Sequence, residues 1–295
     1  MQPQKATSPL RYPGGKQKLH PLVRLIIKKT GLNNCTYIEP FAGGAGVALA
    51  LLFEGMVDSI VINDFDRAIS SFWKAVLSEP DRFADEIQSV PLTITEWKKQ
   101  RKIYDTSTRY TFEYGFASFY LNRTNHSGIL KSGPIGGFDQ GNQKYNLSAR
   151  FNRKILVNKI LAIKERKASI RCFNQDVCAF LRNQMPKLGK NTFVYFDPPY
   201  YNNGRRLYKN FFQDADHRRL ANEIRAIVDV PWIVSYDNVP QIREMYDGLT
   251  KRTFSLSYSL ANNGTGQEVM FFCDSALWPT EEELTMAKIS MPNWR

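Results

Sequence analysis

The sequence predicts an α/β protein with a doubly wound, mostly parallel sheet, and three features predict it. Short β-branched runs alternate with amphipathic segments. A glycine-rich turn links an early strand to a helix, and Asn262-Asn-Gly-Thr-Gly266 between the last two apolar runs is hairpin chemistry that adds an antiparallel strand. Taken in order, residues 36–39 and 59–63 are buried strands with a helix over 45–53 between them. Residues 66–77 form a second helix with Ile69, Phe72, Trp73 and Val76 on one face, and 83–122 is mostly helical and aromatic-rich. Strands follow at 169–173, 192–196 and 232–236, separated by helices over 177–185 and 216–228. Runs at 253–258 and 268–273 flank the hairpin turn. Because 81–168 interrupts the alternation, it is expected to be an inserted region on the ligand edge of the sheet. Residues 1–80 and 169–295 then make the core.

Composition narrows the function classes. With 43% hydrophobic residues in 295, the chain can fill a core, which excludes global disorder. The most apolar stretch, 41–53, carries three glycines and stops at Glu54, too short for a membrane span. Four cysteines without a CxxC pair and three histidines without ligand spacing argue against structural zinc. No metal, no membrane and a reduced cytoplasm are the expectations, with a monomer or weak dimer as the oligomeric state.

Forty Lys/Arg against 28 Asp/Glu leave a net charge of +12. From Leu121 to Arg171 eleven cations face two acids, Asp139 and Glu165, so most of the excess sits in 51 residues. Part of that stretch, 122–142, is filled with Gly, Asn and Ser and has the pattern of a loop and hairpin. Cationic and amide side chains on such loops suit phosphates and base edges, of DNA and RNA alike. Arg123, Asn125 and Lys131 are expected to read bases; Lys144, Arg150 and Arg153 flank them as phosphate contacts. A second loop, 202–212, mixes aromatics with Arg205, Arg206 and Lys209 and is expected to close over an extruded base.

Two motifs carry chemistry. Glu39-Pro-Phe-Ala-Gly-Gly-Ala-Gly46 follows a strand and opens a helix, so its backbone can approach a ligand closely. No Lys-Ser/Thr follows the glycines, which excludes a P-loop. Asp64 ends the next strand, where an acid can bind ribose hydroxyls of NAD or S-adenosylmethionine, or cap the helix that follows. Phe196-Asp197-Pro198-Pro199-Tyr200 ends an apolar strand in a rigid turn. That turn presents a carboxylate, a carbonyl and an aromatic ring together. Such a set suits methylation of an exocyclic amine. Asp197 and the Pro198 carbonyl would accept the amine's two N–H bonds, and Tyr200 would stack on the base.

These residues resemble the Dam-like (D12 class, α group) N6-adenine-specific DNA methyltransferases. Ser8-Pro-Leu-Arg-Tyr-Pro-Gly-Gly-Lys16 resembles the family's N-terminal cofactor motif, 40–46 its glycine motif, Asn63-Asp64 its ribose-binding acid and 197–200 its catalytic tetrapeptide, in the family's order. The resemblance runs from about Leu10 to Cys273. It implies a class I S-adenosylmethionine-dependent methyltransferase fold with a mainly helical, basic target-recognition insert. It further implies that Tyr12 and Lys16 contact the cofactor, that Phe41, Gly43, Gly44 and Gly46 line its approach, that Asp64 binds its ribose, that Asp176 lies near its adenine and that Asp197 sits against both cofactor and target amine. Tyr12-Pro13 departs from the usual Trp-Ala but keeps a ring for stacking. Double-stranded DNA is the implied partner, with a cognate restriction or defence component beside it. An RNA N6-adenine methyltransferase or a non-catalytic nucleic-acid-binding relative are the competing readings. A C5-cytosine enzyme is excluded because no cysteine follows a proline.

Overall fold

The computed structural model describes residues 7–11, 16–141, 144–202, 212–257 and 265–294. Seven strands form one sheet: β1 (Thr36–Glu39), β2 (Ser59–Asn63), β3 (Ile170–Phe173), β4 (Thr192–Phe196), β5 (Trp232–Asp237), β6 (Thr250–Ser257) and β7 (Thr265–Phe272). Their order is β3-β2-β1-β4-β5-β7-β6. β1 pairs parallel with β2 and β4, and β4 with β5, whereas β7 runs antiparallel between β5 and β6. The central strands β4 and β5 are buried up to Asp237 at the end of β5, as the continuous apolar runs require of parallel strands covered on both faces.

The chain divides into two compact units, Lys16–Phe65 with Gln175–Arg295, and Met1–Gly15 with Asp66–Asn174. These limits differ from the expected 81–168 insert. The helix α3 (Arg67–Ser78) and the N-terminal segment belong with the helical unit, whose elements pack on them.

In the first of these units α1 (His20–Lys29) and α2 (Gly46–Phe53) accompany the early strands, and α8 (Val177–Asn183), α9 (Asp214–Arg225) and α10 (Pro240–Met245) the later ones. Helix α2 buries Val47 to Leu52 without a polar face, as befits a helix covered all round. It is entered through Ala45 in a left-handed conformation, φ 47°. Glu39, at the end of β1, supports this turn: its Oε1 accepts the Ala48 N–H at 2.9 Å and the Tyr37 hydroxyl at 3.1 Å.

The helical unit holds α3, α4 (Pro80–Ser89), α5 (Ile94–Thr106), α6 (Phe112–Thr124) and α7 (Arg153–Glu165). Asp66, Thr93, Thr111 and Asn152 cap four of them through their side-chain oxygens, which satisfies otherwise orphaned N–H groups. Phe72, Phe83, Phe112, Phe116, Phe119 and Phe151 interlock at ring separations of 5.2–6.4 Å and make its core. Helix α6 lies against α3 closely enough that a Cβ on Gly115 would stand 2.5 Å from the Ser71 carbonyl oxygen. The expected loop over 122–142 begins later than the composition suggested, since Asn122, Arg123 and Thr124 complete α6. Its hairpin is reduced to a single bridge between Asn125 and Pro134.

The N-terminal segment is seated on this unit by Asn122, whose amide brackets Arg11. The Arg11 N–H donates to Asn122 Oδ1, and Asn122 Nδ2 donates to the Arg11 carbonyl, both at 2.7 Å. Gly128, at φ 76°, passes so near that a Cβ would meet the Arg11 oxygen at 2.6 Å. Replacing Gly128 by Ala therefore adds both backbone strain and a clash. A loss of about 1–3 kcal/mol in denaturant unfolding is expected; an unchanged midpoint would show that the segment is not seated there.

Glu39 has a pH consequence. Burial pushes its carboxyl up to about 8, against the pull of the Tyr37 and Ala48 hydrogen bonds. The fold therefore keeps a proton that the unfolded chain releases at the ordinary glutamate value. Stability is lost as pH rises through that window, by about 1.4 kcal/mol per pH unit. Glu39→Gln keeps the acceptor oxygen and removes the proton. Melting temperatures of the two proteins should diverge between about pH 5 and pH 8 in favour of the variant as pH rises; parallel curves would place the ionised carboxylate in the fold.

Candidate active site

The carboxyl ends of β1, β2, β4 and β5 each carry an acid, and the backbone around them turns sharply. Asp197 follows β4, with its side chain 26% exposed. The two prolines end the ladder there and Pro198 is buried. Asp197 Oδ1 lies 3.2 Å from the Lys16 ammonium and accepts the Ser235 hydroxyl at 3.2 Å; Ser235 is itself 2.8 Å from the Tyr195 hydroxyl. Lys16, in a short 3-10 turn over Lys16–Leu19, is nearly fully buried. It also donates to Glu268 Oε2 on β7 at 3.1 Å and to the Tyr200 hydroxyl at 2.7 Å, and Tyr200 donates to Glu268 Oε1 at 2.5 Å.

The electrostatics follow from that packing. Burial works against the Lys16 ammonium, but the carboxylates of Asp197 and Glu268 outweigh it and hold the group well above the usual lysine value. Burial raises both acids, and Lys16 pulls each of them back.

Lys16, expected at the cofactor, is bound to the Asp197 carboxylate. Tyr200, expected to stack on a base, is 6% exposed, its hydroxyl donates to Glu268, and the Lys16 ammonium lies 4.7 Å from the ring centroid. Glu268 and Ser235 were not singled out from sequence. Glu268 sits in an otherwise apolar strand run, Glu-Val-Met-Phe-Phe, where a buried carboxylate demands a partner. Asp237, at the end of β5, is another addition. Its two oxygens accept the Tyr201 and Asn202 N–H groups at 2.9 and 3.1 Å and so fix the backbone leaving the Asp-Pro-Pro-Tyr turn.

A cleft of about 400 Å³ opens beside the glycine turn, lined by Phe41, Asn63, Phe65, Gln175, Asp176 and Phe212 among others. Phe41 and Phe212 meet edge to face at 5.9 Å, and Phe65 is 59% exposed. Gln175 Oε1 is buried without a hydrogen-bond partner among the described residues. Asp176 caps α8 by accepting the Cys178 and Ala179 N–H groups and pairs with Arg219 at 3.2 Å. Asp64 accepts the Gly43 N–H at 2.8 Å, which ties the end of β2 to the glycine turn. The capping role open to Asp64 belongs to Asp66, whose carboxylate takes the Ala68 N–H at 2.8 Å. Gly44 is buried in the same turn and Gly46 opens α2. Tyr12 lies outside the described residues.

The basic residues separate into three kinds. Asn125 and Arg153, expected at the nucleic acid, are held by groups within the fold. The Asn125 side chain is fully buried, accepting from Trp97 Nε1 at 2.7 Å and donating to the Ile129 and Leu130 carbonyls at 3.0 and 2.9 Å. Arg153 donates to the carbonyls of Ile87, Gln88 and Val90 and closes the end of α4. Arg123 is half-buried, with Nη2 donating to the Arg150 carbonyl. Lys131, Lys144 and Arg150 are exposed. Arg205, Arg206 and Lys209 lie outside the described residues. Among the described residues, no cluster of three or more His, Cys, Asp or Glu is arranged to hold a metal, and no helix is long and apolar enough to cross a membrane.

The family model for D12 class N6 adenine-specific DNA methyltransferases matches residues 12–258. The Type II methyltransferase M.MjaIII of Methanocaldococcus jannaschii is 26% identical over 236 residues, which are 74% of this chain and 79% of that protein. The modification methylase StsI of Streptococcus sanguinis is 25% identical over 232 residues, 72% of this chain but 32% of that longer protein. Among solved structures, the rRNA methyltransferase aviRa of Streptomyces viridochromogenes superposes with a TM-score of 0.41 at 14% identity, over 90% of this chain and 88% of that one. The sheet order with its single inverted strand is that of class I methyltransferases that use S-adenosylmethionine. With the family match over most of its length, the chain belongs to the D12 class of N6-adenine-specific DNA methyltransferases.

Proposed function

We propose that this enzyme methylates N6 of an adenine turned out of double-stranded DNA, with Asp197 and the Pro198 carbonyl as acceptors for the amine. The carrying observation is the Lys16 ammonium 3.2 Å from Asp197. A nitrogen with hydrogens to donate already occupies the carboxylate, and an exocyclic amine can take its place with the same geometry.

Adenine N6 is a poor nucleophile because its lone pair is delocalised into the ring. Accepting both N–H bonds draws the nitrogen toward tetrahedral geometry and stabilises the positive charge as it forms. The base must leave the duplex to reach an acid at the end of a buried strand. Glu268 and Tyr200 retain the Lys16 ammonium when the amine displaces it from Asp197, so no buried charge is stranded. Ser235 and Asp237 hold the carboxylate and the turn while this exchange takes place.

The cleft at the glycine turn suits S-adenosylmethionine, which supplies an activated methyl group when bound. Phe41 and Phe212 offer aromatic walls for an adenine ring, and the unsatisfied Gln175 oxygen offers an acceptor to its amino group. Asp176 lines the cleft, and Asp64, held by the Gly43 N–H at the glycine turn, would accept ribose hydroxyls. A restriction nuclease of matching specificity is proposed as a companion, on the ground that a relative is named as a modification methylase.

Two outcomes test the site. Asp197→Ala should lower methyl transfer to duplex DNA by roughly 10²–10³, as for loss of one oriented electrostatic contact, while cofactor binding by calorimetry is kept. Full turnover, or transfer to RNA in preference to DNA, would overturn the reading. Lys16→Met removes the charge that pulls the buried Asp197 carboxyl down. Activity needs that carboxylate ionised and is lost as pH falls through its pKa. The acid limb of kcat/KM, which reports the free enzyme, should therefore move to higher pH in the variant. An unmoved limb would separate Lys16 from the reacting carboxylate.

A further inference from the structure

In the helical unit four cations sit on segments joined by hydrogen bonds, with no acid paired to them among the described residues. Arg11, on the N-terminal segment bracketed by Asn122, donates from Nη1 to the Asn125 carbonyl at 3.2 Å. Arg123, in the last turn of α6, donates from Nη2 to the Arg150 carbonyl, and its Nε is buried with no hydrogen-bond partner among the described residues. Lys159, on α7, donates to the Ser8 carbonyl at 2.7 Å. The ion pairs of the described residues include none of these four.

Their mutual effect is visible in their acidities. Burial, then Arg11 and Arg150, depress Arg123 to about 10; burial, then Arg123, depress Lys159 to about 8. Burial and Arg150 lower Arg11 as well. Like charges brought together and partly dried destabilise a fold unless an anion completes them. Three guanidiniums and an ammonium on adjoining segments match the charge and multiple acceptor oxygens of a phosphate better than a planar carboxylate, which one guanidinium already satisfies.

We propose that Arg11, Arg123, Arg150 and Lys159 form a pocket for a single backbone phosphate of the DNA. This assignment rests on the DNA-methylating function above. It moves Arg123 from base reading to anchoring and adds two residues, Arg11 and Lys159, to the DNA-binding surface. A seated phosphate positions the duplex without reading its sequence. It also ties the N-terminal segment, α6 and α7 to one point on the strand.

The test compares wild type with Arg150→Met, Lys159→Met and the double variant, binding a short mixed-sequence duplex over a range of salt. One pocket predicts non-additivity. Each single variant should flatten the slope of log K against log salt by about one unit, and the double variant by about one as well. Losses that add, as for separate cations acting through the general field, would overturn the pocket. Arg150 is exposed, so its variant should fold, and Arg11→Met replaces Lys159→Met in the cycle if the latter is unstable. In the DNA-free protein, Lys159→Met should raise the melting temperature by relieving repulsion; a lowered one would give Lys159 a structural role instead. Inorganic phosphate that stabilises wild type but not Arg150→Met, with duplex binding equal in both, would assign the pocket to free phosphate and overturn the DNA assignment. Failure of wild type to bind any duplex would remove the DNA reading itself, which additive losses would leave standing.

Discussion

The Lys16 ammonium, shared between Asp197 and Glu268, is the contact on which this edge of the sheet depends, because it joins a 3-10 turn near the N-terminus, the turn after β4 and the strand β7. Two carboxylates at that depth repel each other and are poorly solvated. Only a buried opposite charge with good hydrogen-bond geometry lets either stay ionised. As a stability device the arrangement is poor, since apolar packing of the same volume is often equal or better. Removing one partner is another matter: it leaves an uncompensated buried charge, at about 3–5 kcal/mol, against a total folding stability of about 5–15. The network is therefore best understood through its chemistry. One ammonium with two carboxylates leaves an excess acceptor, and Asp197 is the member with exposed surface.

The other acids along the same edge share a logic. Glu39 takes the Ala48 N–H, Asp64 the Gly43 N–H, Asp176 the Cys178 and Ala179 N–H groups, and Asp237 those of Tyr201 and Asn202. A parallel strand that ends in a tight turn leaves backbone donors without ladder partners, and burial makes each one costly. A carboxyl oxygen at each strand end answers that need and at the same time stiffens the turn that follows it. Substitution of any of these acids therefore needs a stability control beside an activity assay.

The legible part of the molecule was the part governed by local patterns. Strand–helix alternation located β1, β2, β4 and β5 to within a residue or so, because fully buried strands carry unbroken apolar runs bounded by glycine and proline. The Asp-Pro-Pro-Tyr and glycine turns announced themselves by residues with few other uses. What stayed hidden depends on distant partners. Glu268 acquires its meaning from Lys16, 252 positions away, and nothing in either neighbourhood states that they meet. Tyr200 has an aromatic ring suited to stacking, yet its hydroxyl is bound inward to Glu268. Asn125 has the side chain of a base reader, but the Trp97 indole N–H claims its oxygen. Composition of the 122–142 stretch predicted loop, whereas packing of α6 on α3 carried the helix on to Thr124.

The basic segment shows why a charge count overstates a nucleic-acid interface. Counterion release depends on cations that reach phosphates, and a cation committed within the fold contributes only to the general field. Arg153 spends its guanidinium on three carbonyls at the end of α4, Arg101 donates to the Ser132 carbonyl, and Lys164 pairs with Asp81. Arg67 likewise supports the carbonyls of Ser107 and Thr108. The residues that remain are of two sorts. Lys131 and Lys144 are exposed and solvated, so they can move onto a phosphate at little cost but also specify little. Arg11, Arg123 and Lys159 are already desolvated and held, so part of the cost of ordering them was met in folding. Preorganised cations of that kind give up less freedom on binding than mobile ones. On the proposed DNA-binding reading, the fixed group would set the register of the duplex, while the exposed lysines would add attraction without direction.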